Sequence, residues 1–564
     1  MKLKRDILYF FLLICVLIGV ASIPFDFIFS YLKPILSTDG LVMPESIFKL
    51  YRIVIFAKTF IIFLLIIVFI YLKFNIIINN YLNKILYSID NKLSRVQISF
   101  NYFFYLFFGL SIILMFYALF YFDIGLDESF YLNDIQNIAI YGLPTRMDNY
   151  KEIPYLVYNL PFNLVSLLVI NLFSFNVYYI RAIILVTSFG VVYLLYLLID
   201  DRDRKKITLL MILAFPGINY LTSCCYLEIM ALFFILAAFW FAKKLNSPSN
   251  SKFKINMSAL MMALAITSKF QIFLLFGLVA VFLFIFFEEK YFYFKYALRV
   301  YLIYGLITFI CFFFSGMGNY LKMVYSLLGD AGSAFSLSSV GLINKTFWLS
   351  ELVFIPLIFL TWFETSKGIR SAPLFHKLLF TFSIVCVFHW WFFHGAYTWR
   401  NAFIGLAATI ILFALRYPFA LKSKPFKAGL IAYVLFGFIM NYAFIRNGSI
   451  DDVQYYRSHV LKNVFTYDNQ NYQKEFFKEI KGLIHAEDKV YTTGQIFLPK
   501  IYLDNREILS FEKFSEPSDL PLNAYVIITY GMLMSGIDKT DNYKWITQHC
   551  GLIYQSGDYY LYKR

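Results

Sequence analysis

The stretch from Phe122 to Arg146, FDIGLDESFYLNDIQNIAIYGLPTR, holds the carboxylates Asp123, Asp127, Glu128 and Asp134 before its first cation. It follows directly on an apolar run from Phe103 to Tyr121. Carboxylates so close to a hydrophobic segment are costly unless they face water, a cation or a reacting group. Asp127 and Glu128 are adjacent, so in any regular structure they point different ways and can take different roles. Further along, Glu228, Lys269 and Arg400 stand in short polar turns between apolar runs. Carboxylates and cations grouped at a membrane surface suit transfer from a lipid-linked phosphate. A base takes the proton of an attacking hydroxyl, and cations hold the phosphate as its negative charge grows. The plain alternatives are a solvated loop for the DE pair and interfacial anchors for the charges at span ends.

These residues must be positioned by membrane helices. Of the 564 residues 60% are hydrophobic and only 15% charged, whereas soluble domains are about 25% charged. The expected fold class is therefore a polytopic α-helical membrane protein. A net charge of +15 invites a nucleic-acid partner. However, the cations fall in short clusters between apolar runs, a pattern of membrane topology rather than of a nucleic-acid groove, and no nucleic-acid partner is expected. The six cysteines show no C-x-x-C spacing, which excludes a recognisable zinc site or disulfide framework. His389 and His394 bracket the aromatic run HWWFFH and suit packing or hydrogen bonding better than metal ligation. No G-x-G-x-x-G or G-x-S-x-G occurs, so nucleotide-binding and serine-hydrolase chemistry have no motif to stand on.

Met1 to Asp6 is basic and precedes an apolar run to Tyr31, read as a retained anchor rather than a cleaved signal. A second run covers Ile53–Leu72. Others follow, among them Ile180–Ile199, Ile207–Ser223, Leu349–Phe363 and Ala428–Ile445. The total is about thirteen spans of bilayer length. Placing the N-terminus in the cytoplasm puts Lys73–Arg95, DRDRKK at Asp201 and KKLNSPSNSKFK at Lys243 inside, as positively charged loops prefer. The segment Val157–Phe175 is apolar, but counting it as a span would invert every later loop. It is read as helical and lying at the outer interface, within one external loop from Asp123 to Tyr179. After Arg446 hydropathy collapses. Strands at Lys489–Tyr491, Glu507–Leu509, Ala524–Thr529 and Gly551–Gln555, with helices at Gln470–Leu483, Phe497–Leu503 and Tyr543–His549, predict an α/β domain.

A span followed by D-x-x-x-D-E-x-x-Y and a glycine, here Asp123, Asp127, Glu128, Tyr131 and Gly142, resembles the first external loop of the GT-C glycosyltransferases. That superfamily includes the protein O-mannosyltransferases and the lipid A aminoarabinose transferase. Ile153-Pro154-Tyr155 followed by Tyr179-Ile180-Arg181 is similar to the family's passage into its next span, with one proline where two are usual. Glu228 stands where the family has its second acidic residue, commonly Asp. Lys269 matches the lysine ending a small-residue helix, and Trp399-Arg400-Asn401 is similar to the family's Arg-Tyr passage, with Asn in place of Tyr.

The resemblance covers Leu106 to Arg564 and implies a GT-C fold in three parts. These are a two-helix addition over 1–100, a catalytic transmembrane domain over 101–447 with its large loop at 122–179, and an extracytoplasmic α/β domain over 448–564. It implies an inverting transferase that moves a sugar from a polyprenyl-phosphate donor, such as an undecaprenyl-phosphate sugar, to a hydroxyl of a lipid, glycan or protein acceptor. The site would face outward from the plasma membrane, the inner membrane of a bacterial cell envelope. Asp127 would be the base, with Glu128 and Glu228 supporting it. Lys269 and Arg400 would hold the phosphate, with Arg146 and Tyr131 as further substrate contacts. No cofactor is fixed by the resemblance; a divalent cation, used by some members, would lie on Glu128 and Glu228. Two other readings stay open: a non-catalytic sugar-lipid binding scaffold of the same fold, and a lipid transporter or flippase, whose repeated halves and broken mid-membrane helices are not evident.

Overall fold

The structure is a computed structural model that describes residues 100–138, 145–148, 151–154, 159–215, 217–246, 251–315, 368–392, 399–416, 424–447, 472–492, 497–504, 506–511, 516–529 and 540–564, with isolated positions between them. The chain divides into two compact units. Nearly all described residues belong to the one built from Ile98–Ala334, Phe347–Trp390 and Ala396–Arg564. The expected spans at Ile7–Tyr31 and Ile53–Leu72, and most of Leu349–Phe363, lie outside the described residues.

Helix α1 (Phe100–Tyr121) leads into α2 (Leu126–Gln136). A short antiparallel ribbon follows, β1 (Thr145–Asp148) on β2 (Lys151–Pro154), in which Arg146 is opposite Ile153. Helices α3 (Leu160–Phe173) and α4 (Val177–Leu198) come next. At 1.5 Å per residue the 22-residue helices α1 and α4 are each about 33 Å long, enough for a hydrocarbon core of about 30 Å. The 14 residues of α3, within the apolar segment Val157–Phe175, reach only about 21 Å, too short to cross upright. The carboxylate stretch, treated in sequence as a loop, contains the 11-residue helix α2, and the β1–β2 ribbon has no counterpart in the hydropathy pattern.

Apolar residues occur all round α1. Met115, Ala118 and Leu119 are buried while Ile113, Phe116 and Phe120 are exposed, as expected of a helix whose outer solvent is lipid. The expected span Ile207–Ser223 is instead two helices, α5 (Arg202–Leu213) and α6 (Ile218–Ser223). The break falls at Phe215-Pro216-Gly217, where Gly217 takes a left-handed φ of 84°. Asn441 of α13, introduced below, fills it. Its Oδ1 accepts from the Gly217 N–H at 2.7 Å and its Nδ2 donates to the Phe215 carbonyl at 3.2 Å.

Helices α7 (Leu227–Lys243), α8 (Ser251–Ser268), α9 (Gln271–Phe286) and α10 (Lys290–Ser315) follow. The small buried face of α8, Ser258, Ala259 and Ala263, lets it lie close to α7, and the Ser258 hydroxyl donates to the Ala238 carbonyl at 2.9 Å. Then come α11 (Leu374–Phe392), α12 (Trp399–Arg416) and α13 (Lys424–Asn447). Among the described residues three helices, at Asn101–Tyr121, Val177–Leu198 and Lys290–Cys311, are long and apolar enough to cross a membrane; shorter apolar helices accompany them.

The C-terminal portion begins with α14 (Tyr472–Leu483) and continues β3 (Val490–Thr492), α15 (Phe497–Tyr502), β4 (Ile508–Ser510), β5 (Tyr525–Ile528), α16 (Asp541–His549), β6 (Gly551–Ser556) and β7 (Tyr559–Lys563). The sheet order is β4-β3-β5-β7-β6. Strands β4 and β5 run parallel to β3, and β7 is antiparallel to both β5 and β6. Tyr491, Phe511, Leu520, Val526, Ile528 and Ile546 form a core on this sheet. Four strands lie close to their expected positions. The fifth, β7, escaped the sequence analysis because its run of tyrosines ends at charged Lys563-Arg564 with little polar alternation.

Candidate active site

The site is built around the junction between α1 and α2. A helix leaves its last carbonyls without intrahelical donors, and next to an apolar environment they need partners. Arg181, in the first turn and a half of α4, supplies them. Its Nη1 donates to the carbonyls of Leu119 (3.1 Å) and Phe122 (2.9 Å), and its Nη2 to that of Asp123 (3.1 Å). The other two bonds go to Glu128, Nε to Oε1 at 2.8 Å and Nη2 to Oε2 at 2.7 Å. Every one of the five guanidinium N–H groups is thus engaged. Both side chains are buried, at 1% and 0% exposure.

The backbone N–H of Cys225 adds a further bond to Glu128 Oε1, at 2.9 Å. Cys225 belongs to the turn joining α6 to α7, and Glu228 opens α7 in that same turn. Burial, then the Glu128 charge, push the Cys225 thiol upward and keep it neutral, which suits packing rather than ligation. Glu228 lies in the first turn of its helix, where the helix dipole favours a negative charge. Its Oε1 pairs with Lys269 Nζ, the residue just past the end of α8. Glu228 is 2% exposed and Lys269 12%. Two carboxylate–cation pairs therefore meet at one end of the helices, linked through a single turn. At the far end of α4 and α7, Lys243 donates to the Leu198 carbonyl at 2.9 Å and pairs with Asp200 at 2.7 Å.

Asp123 is 2% exposed, and its Oδ1 has no hydrogen-bond partner among the described residues. Burial pushes its carboxyl up to about 7, against the opposing pull of Lys474 and Arg181. Tyr131 is half-buried on α2, and Asp134 is buried there.

Of the residues expected from sequence, the structure brings together Glu128, Glu228 and Lys269. Asp127 occupies the first turn of α2, adjacent to Glu128; its side chain lies outside the described residues. Arg146 is on β1 and Arg400 is the second residue of α12, and their side chains too lie outside, as do His394 and the side chain of His389. A divalent ion on Glu128 would have to displace the Arg181 guanidinium and the Cys225 N–H, so the carboxylate as placed does not fit a cation site. Among the described residues no group of three or more His, Cys, Asp or Glu is arranged to hold a metal.

Three participants carried only faint sequence signals. Arg181 was visible as part of Tyr179-Ile180-Arg181 but without its partner, which lies 53 positions away. Gln473 and Lys474 sit on α14, where Gln473 shares the buried stripe of Phe476, Phe477 and Ile480. A glutamine on an apolar stripe at helical spacing was the one available hint.

No protein-family model matches this sequence, and no curated protein matches it. Among solved structures the chain is similar to ArnT from Cupriavidus metallidurans in its apo state, at 12% identity over 82% of this chain and 98% of that one, with a TM-score of 0.49. It is also similar to the archaeal oligosaccharyltransferase AglB from Archaeoglobus fulgidus in complex with an inhibitory peptide and a dolichol-phosphate, at 12% identity over 81% of this chain and 74% of that one, with a TM-score of 0.44.

Proposed function

We propose that this chain is an integral-membrane glycosyltransferase that takes a sugar from a polyprenyl-phosphate donor and passes it, with inversion, to an acceptor hydroxyl. The observation that carries the reading is the linkage of Glu128–Arg181 to Glu228–Lys269 through the Cys225 turn, beside the helix turn that bears Asp127. The motif resemblance between Asp123 and Arg400 points the same way.

In this reading Asp127 takes the proton of the acceptor hydroxyl as its oxygen attacks the anomeric carbon. The bond from that carbon to the phosphate oxygen breaks, and the polyprenyl phosphate leaves with the bonding electrons. Its growing charge is met by Lys269, with Arg400 and Arg146 as further cations. Glu228 keeps Lys269 aimed. The Glu128–Arg181 pair ties the start of α2 to the ends of α1 and α4, which fixes the Asp127 backbone. No step is routed through a metal. Contacts between α14 and the α1–α2 junction support placing the C-terminal sheet and the site on one side, the extracytoplasmic one in this reading. The division into 1–100, 101–447 and 448–564 is part of the same proposal.

The test is incubation of the purified protein with a panel of polyprenyl-phosphate sugars and hydroxyl acceptors. Consumption of one donor with release of polyprenyl phosphate is expected. Donor binding with no turnover across the panel would instead establish the sugar-lipid binding scaffold.

A further inference from the structure

The backbone between α1 and α2 is held from the C-terminal portion as well as by Arg181. Gln473 grips the backbone of Ile124 on both sides of its Cα. Its Oε1 accepts from the Ile124 N–H at 2.8 Å, and its Nε2 donates to the Ile124 carbonyl at 3.2 Å. The amide is itself fixed, accepting from the Tyr502 hydroxyl at 2.8 Å and donating to that of Tyr559 at 3.2 Å. Next to it, Lys474 donates to the Phe120 carbonyl. The ring of Phe497 on α15 lies 4.7 Å, centroid to centroid, from that of Phe130 on α2.

We infer that Gln473 and Lys474 are positioning residues for the helix that carries Asp127, so that the C-terminal portion completes the active site instead of merely accompanying it. The inference rests on the reading of Asp127 as the base. Ile124 is three residues before Asp127, and the junction has only Phe122–Gly125 between the two helices. A side-chain amide that fixes both the N–H and the carbonyl of one residue there, and so two successive peptide planes, sets the direction in which α2 departs. Displacements of about an ångström at a reacting group cost on the order of a hundredfold in rate. A purely structural tether would need only apolar contact such as Phe130–Phe497. A residue hydrogen-bonded at both its N–H and its carbonyl, by an amide backed by two tyrosine hydroxyls, specifies orientation.

The experiment uses the full-length protein in detergent, with Gln473→Met, which keeps length and loses the amide, and Lys474→Met. Hydrogen exchange over residues 122–126 should speed up in Gln473→Met while exchange over β5 stays unchanged. Turnover should fall about ten- to a hundredfold, with the affinity for polyprenyl phosphate, measured on mixed micelles, within about twofold of wild type. Lys474→Met should lower turnover severalfold with the same unchanged affinity, so a folding failure of the first variant does not shield the inference. Unchanged exchange at 122–126 in Gln473→Met, or a parallel loss of turnover and phosphate affinity in Lys474→Met, would overturn it. The exchange measurement needs no substrate. A wild-type protein that transfers no sugar would therefore sink the glycosyl-transfer reading while leaving the Gln473 tether visible.

Discussion

Arg181 and Glu128 form a buried bidentate ion pair across 53 positions of the chain, and the same guanidinium closes the C-terminal end of α1. The pair is thus a joint between three helices. Breaking a buried ion pair by removing one partner costs about 3–5 kcal/mol, because the other charge is left without compensation. Glu128→Gln would be a mild change for a residue that only supports a catalytic base. With the guanidinium buried against it, Glu128→Gln and Arg181→Leu should both destabilise strongly. The double variant should recover part of the loss. Thermal unfolding in detergent checks this, and single variants as stable as wild type would show that the pair contributes nothing.

Asp123 gives the junction a pH dependence with a definite sign. Its carboxyl is held at about 7 in the folded chain against an ordinary 3.8, so the folded state binds the proton more tightly. The stability this contributes is fully present below about pH 4 and is lost as pH rises through about 7, at about 1.4 kcal/mol per pH unit between those limits. Asp123→Asn mimics the protonated acid. It should be close to neutral in stability at pH 4 and strongly stabilising at pH 8, measured by unfolding midpoints at both values. Equal effects at the two pH values would show that Asp123 ionises normally.

The sequence made the DE stretch, Glu228 and Lys269 legible because charges stand out against apolar runs, and a lysine just past a small-residue helix has few places to go. The Glu228–Lys269 pairing was the simplest consequence of two short turns at one end of the helices. The joint made by Arg181 was not legible in the same way. Nothing local tells an arginine on an apolar helix which carboxylate, or which carbonyls, it will meet. The break at Gly217 was missed for a related reason. Mean hydropathy over Ile207–Ser223 is that of one span, and Asn441, which makes the break tolerable, lies 224 positions away. Proline followed by glycine was the signal to weigh more heavily.

Lys269 and Glu228 should act as a unit in donor use. Losing a charge-assisted hydrogen bond in a partly desolvated site costs about 1.5–3 kcal/mol, or roughly ten- to a hundredfold. Lys269→Ala should weaken polyprenyl-phosphate binding by that factor, and Arg400→Ala likewise. Glu228→Gln should have a smaller effect on binding, since the ammonium remains while only its aim is relaxed. Titration with polyprenyl phosphate in micelles measures all three. Wild-type affinity in both cation variants would make them interfacial anchors.

The mechanism depends most on Asp127. It lies in the first turn of α2. A general base contributes about a hundred- to ten-thousandfold and must reach the acceptor proton while ionised. Asp127→Asn keeps the shape but cannot take a proton, so turnover should collapse by that factor while folding and polyprenyl-phosphate affinity survive. The contrast with its neighbour is the informative part. Glu128→Gln should lose turnover together with stability, because it opens the joint with Arg181, whereas Asp127→Asn should lose turnover alone. Measuring unfolding, donor binding and sugar transfer separately in the two variants distinguishes the roles. Normal turnover in Asp127→Asn would remove it as the base and leave the scaffold reading as the better account of the site.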